Sequence, residues 1–394
     1  MSAHVVFEAA VVRMVAAGAV DRARVTEVDG GEVLRVHAAP GDGAVVLRTT
    51  PDEPVAGARV HCVVDGADVV CLDESLRPLP VTVIPEHADV FDRVRGVFET
   101  DILRDRAVAV LGLGSGGSVV VRELARSGVG RFLLVDHDRL EVGNVCRHEC
   151  GLADVGRLKT NAVRELILDR NPDAEVTTLD LRISSETVDE LTAAIKAAGV
   201  DVVVCATDNR ESRLLVNRLC VLAGLPALFA GVFRRAYGGQ VLRYLPGLTP
   251  CYQCFVSAVP AMANDREIAS AEQAHRIAYS DRPVAVEPGL AADIAPIALM
   301  MAKLTTQELL AGTATTLASL NEDLVAPLYL WLNRREAETD YAALPPMATG
   351  VDTMSVLRWY GIDLPRDIHC PACGTPAVEG VEPTADLDTS DFRA

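Results

Sequence analysis

AVAVLGLGSGGSVVVRELARSGVGRFLLVDHDRLEVGNVCRHECGLADVGRLK, residues 107–159, decides how this chain is read. Its opening run, Ala107 to Leu113, has the length and β-branching of a buried parallel strand. The run breaks at Gly112, Gly114, Gly116 and Gly117, and an amphipathic helix is predicted over 119–127. Strand, glycine turn and helix start read together as a mononucleotide-binding unit. Glycines let the backbone turn sharply and approach phosphate closely, while the free N–H groups and positive dipole end of the next helix favour an anion there. A second strand, 131–135, ends in Asp136, whose carboxylate can accept ribose hydroxyls. Up to this point the pattern fits NAD, FAD, S-adenosylmethionine and ATP alike.

The downstream polar residues separate these possibilities. Asp136 and Asp138 are followed by Asn144, Arg147 and His148, then Gly156 and Lys159, and later by Asp208 in CATDN at the end of another strand. Hydride transfer has no use for this set, whereas adenylation does. When a carboxylate attacks the α-phosphate of ATP, charge grows on the phosphoryl oxygens and on departing pyrophosphate. An arginine, a lysine and a magnesium ion held by a carboxylate would offset that charge. The competing structural reading makes Arg147 and Lys159 solvated residues, Asp138 a turn former and Asp208 a helix cap.

With these residues in view, the chain resembles the ubiquitin-activating enzymes and their bacterial relatives that adenylate the thiamine and molybdopterin sulfur carriers. The matching stretches are GLGSGG (112–117), VDHD (135–138), NVCRH (144–148), GRLK (156–159) and ATDN (206–209), within roughly residues 90–310. The resemblance implies ATP bound by Gly112, Gly114, Gly116, Asp136 and Asp138. It implies phosphate contacts from Asn144, Arg147 and Lys159, and magnesium positioned by Asp208. It further implies an arginine on a helix before the glycine turn, reaching the γ-phosphate across a dimer; FDRVRG (91–96) offers Arg93 or Arg95, of which Arg95 is preferred. One departure is His148, where the sulfur-carrier enzymes usually have glutamine.

Cysteine usage adds a second signal. Ten cysteines in a chain with neither a signal-peptide pattern nor a long apolar span point to a reducing, cytoplasmic compartment. Cys251 and Cys254 in PCYQCF, and Cys370 and Cys373 in CPACG, form two knuckles that together can close a tetrahedral zinc site. The related family carries such a split site. A redox-active pair is the alternative, and His369 is a conceivable substitute ligand. Between Cys254 and Cys370 no cysteine occurs, so adenylation without a thioester at the usual place is expected. Cys205 and Cys220 read as core, and Cys146 and Cys150 as inert despite flanking Arg147.

Length and composition agree with a multidomain α/β enzyme. With 394 residues and 49% hydrophobic content, two or three substantial cores are affordable, and a net charge of −18 argues against nucleic acid and anionic membranes as partners. The expected fold class is α/β: a doubly wound, Rossmann-like, mostly parallel sheet with a split four-cysteine zinc site and a small β-rich N-terminal module. Residues 1–88 read as that module, antiparallel after an opening helix from Val5 to Ala17, with PVTVIPEH (80–87) as linker. Residues 89–374 read as the adenylation domain, with a crossover segment at about 255–288, and 375–394 as an acidic disordered tail. The apolar run 288–312 reads as a core or dimer-interface helix.

The expected partner is a small ubiquitin-like or sulfur-carrier protein with a free C-terminal glycine, activated by a homodimer. A short peptide carboxylate is the nearest rival substrate. An NAD-dependent oxidoreductase and a non-catalytic partner subunit are the rival classes.

Overall fold

The computed structural model describes residues 4–16, 22–40, 45–48, 58–65, 68–84, 90–94, 97, 99–258, 288–337, 339, 341–344 and 354–374. The chain divides into two compact units, Met1–Asp89 and Val90–Ala394.

The first unit is an eight-stranded sheet. Its strands are β1 (His4–Glu8), β2 (Arg22–Val28), β3 (Val33–Pro40), β4 (Val45–Arg48), β5 (Val60–Asp65), β6 (Asp68–Asp73), β7 (Pro78–Leu79) and β8 (Val81–Ile84), in the order β7-β6-β5-β4-β2-β3-β1-β8. Alternation sets its buried face: Leu34 and Val36 of β3, and Val60, Cys62 and Val64 of β5, are buried with Val11 and Val12 of helix α1 (Ala9–Ala16). Cys62 faces Cys71 across the β5–β6 pair inside this core, while His61 points the other way.

Three sequence expectations fail here. The stretch read as one opening helix from Val5 begins as strand β1, because HVVFE buries Val5 and Phe7 on one face and pairs parallel with β3 and β8. The sheet is therefore mixed rather than antiparallel, with β4 and β5 also parallel. Residues 81–84, read as linker, form strand β8; Pro80 precedes the strand and interrupts no ladder.

The second unit is doubly wound. Strands β9 (Ala107–Leu111), β10 (Arg131–Val135), β11 (Glu175–Leu179), β12 (Val202–Cys205) and β13 (Ala227–Val232) run parallel in the order β11-β10-β9-β12-β13. Antiparallel β14 (Gly238–Tyr244), β15 (Leu328–Leu332) and β16 (Trp359–Ile362) extend that edge.

Central strands buried on both faces need unbroken apolar runs, and here successive residues feed opposite cores. Val108 and Val110 of β9, Phe132 and Leu134 of β10, and Val202 and Val204 of β12 pack on the face covered by α3 (Ser115–Arg126), α4 (Lys159–Leu168) and α8 (Ala291–Leu309). Their neighbours Ala109, Leu111, Leu133, Val135, Val203 and Cys205 pack on the other face with α5 (Val188–Ala197), α6 (Arg210–Ala223) and α7 (Tyr252–Ala258). Each such fully buried valine or leucine contributes roughly 1.5–3 kcal/mol of transfer free energy. Helix α8 is a core helix: Ile294, Ile297, Met301, Ala302 and Leu304 are buried, and Ile297 rests so close to Gly239 that a side chain there would collide with it. Among the described residues no helix is long and apolar enough to cross a membrane.

Candidate active site

The order of the parallel strands reverses beside β9, whose neighbours are β10 on one side and β12 on the other. The crevice at their carboxyl ends is where such sheets receive ligands. The glycine turn leaves β9 at this point and is clamped by both neighbours: Gly112 N donates to Val135 O at 2.8 Å, and Ala206 N donates to Leu111 O at 2.8 Å. Gly112 sits at φ +87°, with the Ala206 backbone 2.9 Å from where a Cβ would be, and a Cβ at Gly117 would lie 2.0 Å from Gly112 O. A Cβ at Gly114 or Gly116, by contrast, would meet nothing within 4 Å. Two glycines are thus demanded by packing, while the other two leave open space before the first turn of α3. The α3 N-cap, Gly114, offers no side-chain cap, so the helix-start N–H groups remain for an anionic ligand.

Asp136 is tied into this turn. One carboxylate oxygen takes the Leu113 N–H at 2.7 Å and the other takes the Asp138 N–H at 2.9 Å, which fixes the acid at the tip of β10. Asp138 in turn accepts from Lys159 Nζ at 2.8 Å. The Lys159 side chain is only 10% exposed, and a lysine that deep needs an anionic partner. Partial burial alone would raise the Asp138 carboxyl, but the Lys159 hydrogen bond and charge, with help from His137 and Arg182, outweigh it and hold Asp138 below its usual range.

The loop carrying Asn144 and Arg147 is pinned against the same turn. Asn144 Oδ1 accepts from Glu141 N at 3.0 Å, leaving its NH2 group as the donor, and Asn144 O accepts the Arg147 and His148 N–H groups, each at 2.9 Å. Arg147 is half-buried. His148 is buried, with Nε2 2.8 Å from Leu113 O and Nδ1 taking the Cys150 N–H at 3.0 Å. Next in the chain, Glu149 is ion-paired with Arg122 of α3. In the sequence His148 stands among the downstream polar residues and departs from a family pattern, but with no role assigned; its partner lies inside the glycine turn, and no spacing rule connects the two. Cys146 is exposed, whereas Cys150 is buried and its thiol is pushed up to about 11.

Asp208 lies beyond the end of β12, exposed, in the loop before α6. It does not cap that helix: Asn209 does, its Oδ1 accepting from Ser212 N at 2.9 Å. Arg95 lies outside the described residues; Arg93 is exposed in turns over 90–94, and the first described helix of this unit is α2 (Thr100–Arg104). A cavity of about 320 Å³ between α3 and α8, with Glu123, Leu299, Lys303 and Leu310 in its wall, contains none of the predicted site residues.

The four paired cysteines come together at a separate place, against the core under α6 and α7. Sγ–Sγ distances are 3.4 Å for Cys254–Cys373, 3.7 Å for Cys251–Cys370 and 3.9 Å for Cys251–Cys254. Four thiolates bound to one zinc at about 2.3 Å have tetrahedral edges of about 3.8 Å, so the cluster fits such an ion. Asn217 braces it, donating from Nδ2 to Cys251 Sγ at 3.6 Å and accepting Tyr252 N–H at 2.7 Å. The first knuckle opens a helix, α7. All four sulfurs nevertheless lie within 4.8 Å of one another, and His369 is exposed outside the cluster. Residues 259–287, most of the crossover segment expected at about 255–288, and the tail over 375–394 lie outside the described residues; 255–258 belong to α7.

The chain is 33% identical over 171 residues to ubiquitin-like modifier-activating enzyme 5 of Oryza sativa subsp. japonica, covering 41% of each. To the protein of the same name from Drosophila ananassae it is 32% identical over 169 residues, covering 41% of this chain and 43% of that one. It spans about two fifths of the length of these curated relatives. Among solved structures, E. coli MccB with ATP aligns over 70% of this chain and 68% of that chain, at 21% identity and a TM-score of 0.48. The model of the ThiF family matches residues 89–333, which contain the whole parallel sheet, the glycine turn and the loops that carry the polar residues; the chain belongs to the ThiF family.

Proposed function

We propose that this chain is an ATP-dependent adenylyltransferase that activates a C-terminal carboxylate, the terminal glycine of a ubiquitin-like or sulfur-carrier protein. Membership of the family and the names of the curated relatives support the class of reaction. The observation that carries it is the meeting, at one strand-end crevice, of an uncapped helix start, a buried lysine held by Asp138, and the loop bearing Asn144 and Arg147.

In the proposed step a carboxylate oxygen forms a bond to the α-phosphorus, and the bond from that phosphorus to the bridging oxygen breaks. Pyrophosphate leaves with the electron pair, and the acyl-adenylate is the product. The glycine turn and the α3 N-terminus bind phosphate, and Asp136 binds the ribose. Arg147 and Lys159 offset the growing phosphoryl charge, and Asn144 orients the phosphate through its NH2 group. Asp208 is an exposed carboxylate that leaves the helix cap to Asn209, which suits it to hold magnesium. The ion would supply electrostatic stabilisation of the phosphate oxygens. Arg95 is assigned to the γ-phosphate, supplied across a homodimer.

Zinc in the four-cysteine cluster would be structural, since no coordination position stays open, and thiolates there suit a reducing cytoplasmic compartment. No cysteine lies between Cys254 and Cys370, so the activated carboxylate passes on without a thioester in that segment.

The test is ATP–pyrophosphate exchange with magnesium, offering carrier proteins ending in Gly-Gly and short free-carboxylate peptides in turn. Exchange that requires the Gly-Gly terminus supports the carrier; exchange with peptides alone moves the substrate to the peptide class. Bound ATP without exchange on any substrate sinks the enzyme reading in favour of a non-catalytic partner.

A further inference from the structure

His148 occupies a place where both ring nitrogens are committed. Nε2 lies 2.8 Å from the carbonyl oxygen of Leu113, and the Cys150 amide donates to Nδ1 at 3.0 Å. A carbonyl oxygen only accepts and an amide N–H only donates, so these bonds are compatible with a single protonation state: hydrogen on Nε2, lone pair on Nδ1. The residue is 8% exposed, so both bonds lie out of ready reach of bulk water.

The two bonds join segments far apart in sequence. Leu113 stands inside the glycine turn, and its own N–H goes to the Asp136 carboxylate at 2.7 Å. Cys150 closes the loop that begins at Asn144 and carries Arg147, the residue before His148. A continuous chain therefore runs from the Asp136 carboxylate through the backbone N–H and C=O of Leu113 and the imidazole to the Cys150 amide. We propose that His148 is a positioning residue that, as the neutral Nε2–H imidazole, locks the loop bearing Asn144 and Arg147 onto the nucleotide turn. The proposal rests on the adenylation reading above. His148 acts through Leu113 and Arg147.

The geometry carries a pH dependence. A second proton would sit on Nδ1, face to face with the Cys150 N–H, and replace a hydrogen bond by two opposed donors. Burial, the largest influence, disfavours that proton and holds the ring below the ordinary histidine range. The Leu113 carbonyl, Asp136 at the tip of β10 and neighbouring Glu149 act in its favour, and Lys159 of α4 acts against it. The lock is complete above the ordinary histidine value and is lost as pH falls through the depressed one.

The experiment measures ATP affinity of the full chain by calorimetry at about pH 7.5 and about pH 5.5, in wild type, His148→Gln and His148→Leu. Nitrogen-15 histidine spectra of the wild type at the higher pH accompany it. Glutamine keeps one donor and one acceptor but does not titrate; leucine fills the space and keeps neither. The expected result is an Nε2–H tautomer for the signal that His148→Gln removes, a loss on the order of 10-fold in ATP affinity for His148→Leu, and near wild-type affinity for His148→Gln with a weaker fall at low pH. Should His148→Leu fail to fold, the His148→Gln pH comparison and the tautomer decide.

An Nδ1–H tautomer, a folded His148→Leu chain that binds ATP like wild type, or an acid fall unchanged in His148→Gln overturns the proposal. A wild-type chain that binds ATP but exchanges no pyrophosphate counts against the enzyme reading and leaves the lock itself measurable.

Discussion

At the nucleotide crevice two carboxylates stay within reach of solvent, Asp138 and Asp208, and the glycines that face the opening have nothing within 4 Å of a Cβ. At the cysteine cluster all four residues are buried, their sulfurs spaced like the edges of one tetrahedron. A site that exchanges its ligand every cycle must let water and phosphate in and hold its groups by backbone clamps. A site that holds its ligand permanently can be sealed by side chains, and its binding free energy then adds to folding. The contrast forecasts that perturbing the first should change affinity and rate, and perturbing the second should change stability.

The largest effect is expected from the sealed site. Removing the zinc proposed for it with a chelator, or Cys254→Ser, should cost several kcal/mol of stability and lower Tm sharply, with activity lost only as the chain unfolds. Elemental analysis and thermal melts check this, and a purified chain without zinc and with unaltered Tm after chelation breaks the comparison. Next come Asp208→Ala and Arg147→Ala, each expected to slow pyrophosphate exchange by on the order of 10²-fold or more while leaving Tm in place. Equal rates in both variants and wild type would remove these residues from the chemistry.

The glycines sharpen the contrast within one turn. Gly117→Ala puts a Cβ 2.0 Å from Gly112 O and should cost about 1–3 kcal/mol of stability along with ATP binding. Gly116→Ala meets no neighbouring atom, so its stability should stay level or rise by up to about 1 kcal/mol while ATP affinity falls. Equal melting behaviour in the two variants would refute the division into packing and ligand-facing glycines.

The smallest effect belongs to the Asp138–Lys159 pair. With the Asp138 side chain 52% exposed, solvent screening limits its worth to about 1 kcal/mol or less. Because the folded state lowers the Asp138 pKa, that contribution is present above the ordinary carboxylate value of 3.8 and disappears as pH falls below it. Asp138→Asn should therefore narrow the stability difference from wild type at acid pH, as read by denaturant titration.

Much of the second unit was legible because its central strands β9, β10 and β12 are buried on both faces and so appear as apolar runs in the sequence. The first unit was less so. HVVFE and AAVVRMVA adjoin without a breaker, and hydrophobicity alone does not mark the change from strand to helix at Ala9. What makes His4–Glu8 a strand is its pairing with β3 and β8, the latter nearly eighty residues away. Likewise α7 after Cys251 follows from where the chain must place Cys254 beside Cys373.

From the sequence by itself came the doubly wound class, the two cysteine knuckles and the identity of the polar residues around the glycine turn, because each is written in local spacing. Tertiary structure alone decided that Lys159 is answered by Asp138, that Asn209 rather than Asp208 caps α6, and that His148 reaches Leu113. These are choices among partners of equal chemistry. They are settled by which strand ends lie side by side, a matter of distance in space that no one-dimensional spacing encodes.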